Sequence, residues 1–344
     1  MTLATRTQTF GNPLLGFNEQ FYLLVGDRMV RGGVLPFIDI FDRKPRGLFL
    51  TDAATRLLGG EGTLHYQFVA VVFAFATALV IAGDARRFAG GAGTLARAIA
   101  YLVWLALLSG EGGQAPVFYN LPALLAAAAT MRLVGRDDAP SIGAGALPML
   151  LVGLAMQIKY TALFEGMYLG LALLVAGHRA GQSTGRSIVI AAAWIAVTLA
   201  PTFVAWADYV AIGHGGEFVF ANFVSHWGRL SDRLATGALG LFRIAGILAP
   251  LLDCAALPPA EARASRELRF IQMWLAAAIG GVLVMHSFPS PQYGLPLLAP
   301  AAIAAAPRRG GSAHAVGDCA APGGRADRFA ATARRPASGE GRGE

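Results

Sequence analysis

The residues most able to do chemistry in this chain are acids and bases set among apolar neighbours. Glu19, Asp39, Asp42, Lys44, Arg46, Glu111, Lys159, Glu165 and His286 all fall inside or at the ends of apolar runs. Charge in such surroundings costs free energy, so it is usually paired or has a task. The types divide into two kinds of work. Lys and Arg hold phosphate oxygens through charge-assisted hydrogen bonds, and a carboxylate takes the proton of an attacking hydroxyl. The densest group lies in GGVLPFIDIFDRKPRGLFL, Gly32 to Leu50, where Asp39, Asp42 and the Arg43-Lys44-Pro45-Arg46 cluster interrupt an apolar stretch. This set suits an anionic, lipid-linked substrate.

The elements that position these residues are membrane helices. Of 344 residues, 55% are hydrophobic and only 14% charged, with a mean hydropathy of +0.52. A soluble domain would carry about 25% charged residues, so this is a polytopic, all-α integral membrane protein. The net charge of +7 does not point to nucleic acid, because the arginines sit in short segments between apolar runs without interleaved aromatics. Two cysteines, Cys254 and Cys319, give no disulfide framework or metal motif. No cofactor is expected, and no motif supports a divalent metal.

Nine membrane-embedded helices are expected, near 64–82, 95–109, 117–134, 146–160, 162–176, 188–206, 238–256, 270–286 and 292–306. Arginine-bearing connections alternate with arginine-poor ones, which by the positive-inside pattern puts the arginine loops in the cytoplasm. Residues 1–63 then form an outer-face loop, 64–306 the membrane domain, and 307–344 a disordered tail of Gly, Ala, Arg, Pro and Ser. A first transmembrane helix is expected upstream of this outer loop in the gene, and the tail reads equally as a native cytoplasmic end or a frameshifted one. Within the loop, Asn18 to Arg31 reads as an amphipathic interfacial helix with Phe21, Tyr22, Val25 and Met29 on one face. Gly32-Gly33 is its stop, and GLFLTDAATRLLGG begins a second. The charged stretch is the elbow between them.

Each candidate has a structural reading beside the chemical one. Asn18 would cap the helix and Glu19 would complement its dipole. Asp39 would close a turn, Asp42 would pair with Arg43 or Lys44, and Arg46 and Lys159 would snorkel to headgroups. Glu111 would be a solvated acid in a glycine-rich turn, Glu165 would pair with Lys159, and His286 would cap a helix.

NEQFYLLVGDRMVRGGVLPFIDIFDRKPRGLFL resembles the first outer loop of the GT-C superfamily of polyprenyl-phosphate-dependent glycosyltransferases. The branch is the one holding protein O-mannosyltransferases and lipid A aminoarabinose transferases, whose elbow reads G-x-P-[YF]-x-D-x-[FW]-D-x-K-P-P. EGGQAPVFYNLPALLAA, GLAMQIKYTALFEG and HSFPSPQYGLPLLAP resemble later family segments in order, so the likeness runs over about residues 15–306. It implies a GT-C-like fold of about nine transmembrane helices with two interfacial helices. It implies an inverting transferase that moves a sugar from a polyprenyl-phosphate donor to a glycan, lipid or protein acceptor at the outer face of a bacterial inner membrane. The family's acidic pair falls on Asn18-Glu19, leaving Glu19 as the base, with Asp42 and Glu111 as the other catalytic candidates. Lys44 falls on the elbow lysine that resembles a ligand for the donor phosphate, Lys159 falls on the basic residue of the hairpin, and His286 and Tyr293 approximate the late motif; with Arg46 these are the substrate- and phosphate-binding candidates. Arg46 stands where the family has a second proline. A transporter or flippase of a lipid-linked or anionic solute, and an inactive homologue, are the competing readings.

Overall fold

The structure is a computed structural model that describes residues 1–7, 9–12, 16–59, 63–87, 91–225, 234–256, 265–284 and 290–305. Among these there is no strand, only an isolated bridge between Pro36 and Ile40. The expected tail and His286 lie outside the described residues.

Two short amphipathic helices come first. Helix α1 spans Phe17–Gly32 and ends on Gly33, whose φ of 65° is the left-handed conformation of a helix C-terminus. Helix α2 spans Arg46–Leu57. The elbow, both helices and the Gly32-Gly33 stop stand where the sequence puts them. Asn18 does not cap α1, because the helix begins at Phe17 with Gly16, two residues before Asn18, at its N-cap. The two helices pack closely: a Cβ on Gly26 would lie 2.7 Å from the Ala53 backbone nitrogen. Gly26→Ala is expected to force them apart at a cost of about 1–3 kcal/mol, lowering the midpoint of thermal unfolding in detergent. An unchanged midpoint would contradict this crossing.

The bundle follows as α3 (Leu64–Ala85), α4 (Gly91–Leu107), α5 (Ala115–Val134), α6 (Ile142–Met156), α7 (Ala162–Arg179), α8 (Thr184–Ala211), α9 (Gly215–Asn222), α10 (Leu234–Ala256), α11 (Arg266–Val284) and α12 (Leu298–Ala304). Five of the described helices, α3, α5, α8, α10 and α11, are long and apolar enough to cross a membrane, while α4 and α6 are shorter apolar helices. The expected last span instead opens as a 3-10 helix, Pro291–Leu297, and becomes α-helical only for Leu298–Ala304. Three prolines in this stretch, Pro291, Pro296 and Pro300, remove backbone donors and favour the tighter turn. The sequence reading also missed α9, which sits in what was read as a long loop.

The elbow is clamped by aromatic side chains. Phe37 holds a φ of 72°, which is strained for a bulky residue. Its ring packs edge-on to Phe49 and Phe218 and tilted against Tyr209, and the Tyr209 hydroxyl donates to the Pro36 carbonyl at 2.9 Å. Burying such rings is worth about 1.5–3 kcal/mol each, enough to hold the strained turn. The membrane bundle thus grips the elbow through α8 and α9.

Candidate functional site

Strict up-and-down alternation brings the sequence candidates to one end of the bundle. The starts of α3, α5 and α7 and the ends of α4, α6 and α8 meet there with α1, α2 and the 3-10 helix. The opposite end carries the arginine connections: Arg97 donates to the Ala85 carbonyl, and Arg87 lies 3.9 Å from Asp84.

Two neighbouring subsites form at the candidate end. The first is a half-open cavity of about 490 Å³. Asn18 and Glu19 from α1 form one wall, Ser109, Glu111, Gly112 and Gln114 from the turn before α5 form another, and Ser290 to Gln292 close a third. Glu19 is 3% exposed, although α1 is amphipathic and mostly accessible. It is seated by Gly112, where a Cβ would fall 2.3 Å from the Glu19 carboxylate, so only glycine lets the turn approach. Burial pushes the Glu19 carboxyl up to about 7, opposed by hydrogen bonds from Gln114 and the Gly16 backbone and by the charge of Arg6. Arg6 was not singled out by sequence, since its partners lie more than 100 residues away. Its guanidinium, 2% exposed, donates to the Gly110 carbonyl at 2.7 Å and the Gly112 carbonyl at 3.4 Å, and its charge acts on both Glu19 and Glu111.

The second subsite is cationic. Lys159 lies in the turn between α6 and α7, with its ammonium 5.1 Å from the centre of the Tyr293 ring, a cation–π contact. Burial, and then the positive charge of Lys44, lower its pKa to about 7, with Glu165 acting the other way. Lys44 and Lys159 therefore feel each other, and neither has a salt-bridge partner among the described residues. Glu165 does not pair tightly with Lys159: its carboxylate accepts the Trp274 indole N–H at 2.6 Å. Gln292 on the cavity wall and Tyr293 under the ammonium are consecutive residues, so the 3-10 helix joins the two subsites.

The remaining candidates have structural partners. Asp42 Oδ1 accepts the backbone N–H of Arg43 and of Lys44, so this carboxylate shapes the turn that presents Lys44. Asp39 accepts the Leu35 N–H at 2.8 Å, as its turn-closing reading expects. Arg46 does not snorkel: its guanidinium is bonded to Asp208 and lies 5.4 Å from the centre of the Tyr209 ring, which ties α2 to α8. Another group that sequence reasoning passed over is Asp52 of α2, 1% exposed, with no hydrogen-bond partner on either oxygen among the described residues. It sits in an otherwise ordinary amphipathic pattern, and no local signal marks it.

This arrangement defines the class: an all-helical protein with several helices long and apolar enough to cross a membrane, its elbow folded over one end of the bundle. The fold matches the crystal structure of ArnT from Cupriavidus metallidurans bound to undecaprenyl phosphate, with a TM-score of 0.64 and 18% sequence identity. The match covers 92% of this chain and 61% of that protein, so the chain spans less than two thirds of its neighbour's length. No protein-family model and no curated protein matches the sequence.

Proposed function

We propose that the chain is a membrane glycosyltransferase that moves a sugar from a polyprenyl-phosphate donor to a glycan, lipid or protein acceptor at the outer face of a bacterial inner membrane. The observation that carries this reading is the adjacency of a buried acid, Glu19, to two cations, Lys44 and Lys159, that form no salt bridge among the described residues, across the single step from Gln292 to Tyr293. The structural neighbour's undecaprenyl phosphate supports the same class of donor.

The donor phosphate lies against Lys44 and Lys159, its lipid between apolar helix faces and its sugar in the cavity. An acceptor hydroxyl attacks the anomeric carbon from the side opposite the phosphate, and Glu19 takes its proton. The bond from the anomeric carbon to the phosphate oxygen breaks, its electron pair leaves on polyprenyl phosphate, and the sugar configuration inverts. The leaving phosphate monoester carries more negative charge than the diester it came from, so the two lysines stabilise the transition state more than the ground state. Glu111 and Arg6 set the field around the base, and Asp42 holds Lys44 in its turn.

Titrating the purified protein with undecaprenyl phosphate tests this directly. Saturating carrier at about a hundred times its dissociation constant is expected to add about 2.7 kcal/mol of stability, seen as a raised unfolding midpoint. No shift, with a shift by unrelated anionic lipids instead, would remove the basis for the reading.

A further inference from the structure

The cavity beside Glu19 is built differently from the cationic subsite next to it, and its wall chemistry bears on which sugar it takes. Four amide side chains line it, Asn12, Asn18, Gln114 and Gln292, with three hydroxyls from Thr9, Ser109 and Ser290. Amides offer paired donors and acceptors at fixed spacing, and hydroxyls do both jobs, which is what vicinal hydroxyls of a sugar ring require. Phe17, 83% exposed at the start of α1, stands at the rim and presents an apolar face to one side of a ring.

The charge balance is the second observation. Among the described lining residues there is no Lys or Arg, so nothing on the wall pairs with a carboxylate on a sugar. The charged groups on the wall are the two carboxylates of Glu19 and Glu111, with the buried guanidinium of Arg6 behind the turn that carries Glu111, so a sugar carboxylate would meet like charge. The phosphate-binding cations sit one residue further along the 3-10 helix, beyond Tyr293. Charge recognition and hydroxyl recognition are therefore segregated within one site.

We propose that this cavity seats a hydroxyl-rich monosaccharide without an acid group as the donor sugar, and that it disfavours sugars bearing a carboxylate. The assignment rests on the glycosyltransferase reading and adds the substrate class to it. Gln292 holds the ring next to the anomeric bond, and Phe17 covers its apolar face.

The test is a binding measurement on the full chain in detergent, which does not depend on turnover. Three probes are compared by their dissociation constants: undecaprenyl phosphate alone, and the same carrier bearing a neutral hexose or the matching hexuronic acid. The neutral donor is expected to bind about tenfold more tightly than the bare carrier, the value of roughly one well-placed hydrogen bond, and the hexuronic donor no more tightly than the carrier. Gln292→Ala and Phe17→Ala should each erase the neutral sugar's advantage without changing the affinity for the bare carrier. Gln292→Lys should turn the preference towards the hexuronic donor. Equal binding of all three probes, tighter binding of the hexuronic donor by the native chain, or an unmoved preference in Gln292→Lys would each overturn the assignment while leaving carrier binding intact. Failure of the bare carrier to bind would overturn the glycosyltransferase reading itself, and this assignment with it.

Discussion

Glu19→Gln is expected to lower the rate of sugar transfer by about a hundredfold to ten-thousandfold, the usual worth of a positioned general base, while undecaprenyl phosphate binds as before. Gln keeps the shape and the hydrogen bond to Gln114 but cannot take a proton. The pH profile separates this from structural damage. Burial raises the Glu19 carboxyl to about 7, and a base works only when ionised. Native transfer should therefore fall about tenfold per pH unit below this value, and the residual rate of the variant should lose that limb. Stability should move the other way. A carboxyl whose pKa is raised on folding stabilises the fold at low pH, and that contribution is lost as pH rises from its ordinary value of 4.5 through about 7. At pH 8 the native protein holds a buried, ionised Glu19 that the Gln variant lacks, so the variant should unfold at a temperature no lower than native. A variant that transfers sugar at the native rate would remove Glu19 from the chemistry.

That single acid illustrates what the sequence could and could not say. Local patterning made the elbow legible. A 3.6-residue period set Tyr22 and Val25 on one face, paired glycines stopped α1, and a Pro-bracketed charged turn preceded α2. All of these depend on neighbours within a few residues. Glu19 itself was visible as a candidate, but its burial was not, because burial comes from Gly112, almost a hundred residues downstream, slipping against the carboxylate. Arg6 was hidden for the same reason, since its bonds to Gly110 and Gly112 are made by packing and no spacing rule anticipates them. Arg46 shows the converse. Its type and place next to Lys44 invite a phosphate, yet the tertiary structure brings Asp208 and Tyr209 from the end of α8 to hold it. Helix number was harder than helix presence. Apolar length marks each run, but the Pro-rich stretch from Pro291 changes helix type, and hydropathy does not register that change.

Lys44→Ala is expected to weaken undecaprenyl phosphate binding by about ten- to a hundredfold, the cost of one charge-assisted hydrogen bond of roughly 1.5–3 kcal/mol. It should also slow transfer, since the leaving phosphate gains charge as the anomeric bond breaks. What makes this variant diagnostic is its effect on the other lysine. Burial first, and then the charge of Lys44, lower Lys159 to about 7, with Glu165 acting the other way. Lysine is a cation below its pKa, so native affinity for the phosphate should decline as pH rises through about 7. Removing Lys44 relieves the repulsion, raises the pKa of Lys159, and moves that decline to higher pH even though affinity is weaker throughout. Lys159→Met should do the opposite, abolishing the decline and leaving a flatter, weaker binding curve from Lys44 alone. The double variant should lose more than the sum of the two single losses, because each single deletion is partly compensated by relief of the repulsion between the two cations. A profile for Lys44→Ala that is merely scaled down, with its midpoint unmoved, would show that the two cations do not share one phosphate. Combined with the rising limb from Glu19, shared binding predicts a transfer rate that peaks within a narrow range near pH 7. The acid must have lost its proton while Lys159 still keeps one, and a bound phosphate widens that range by holding the proton on Lys159.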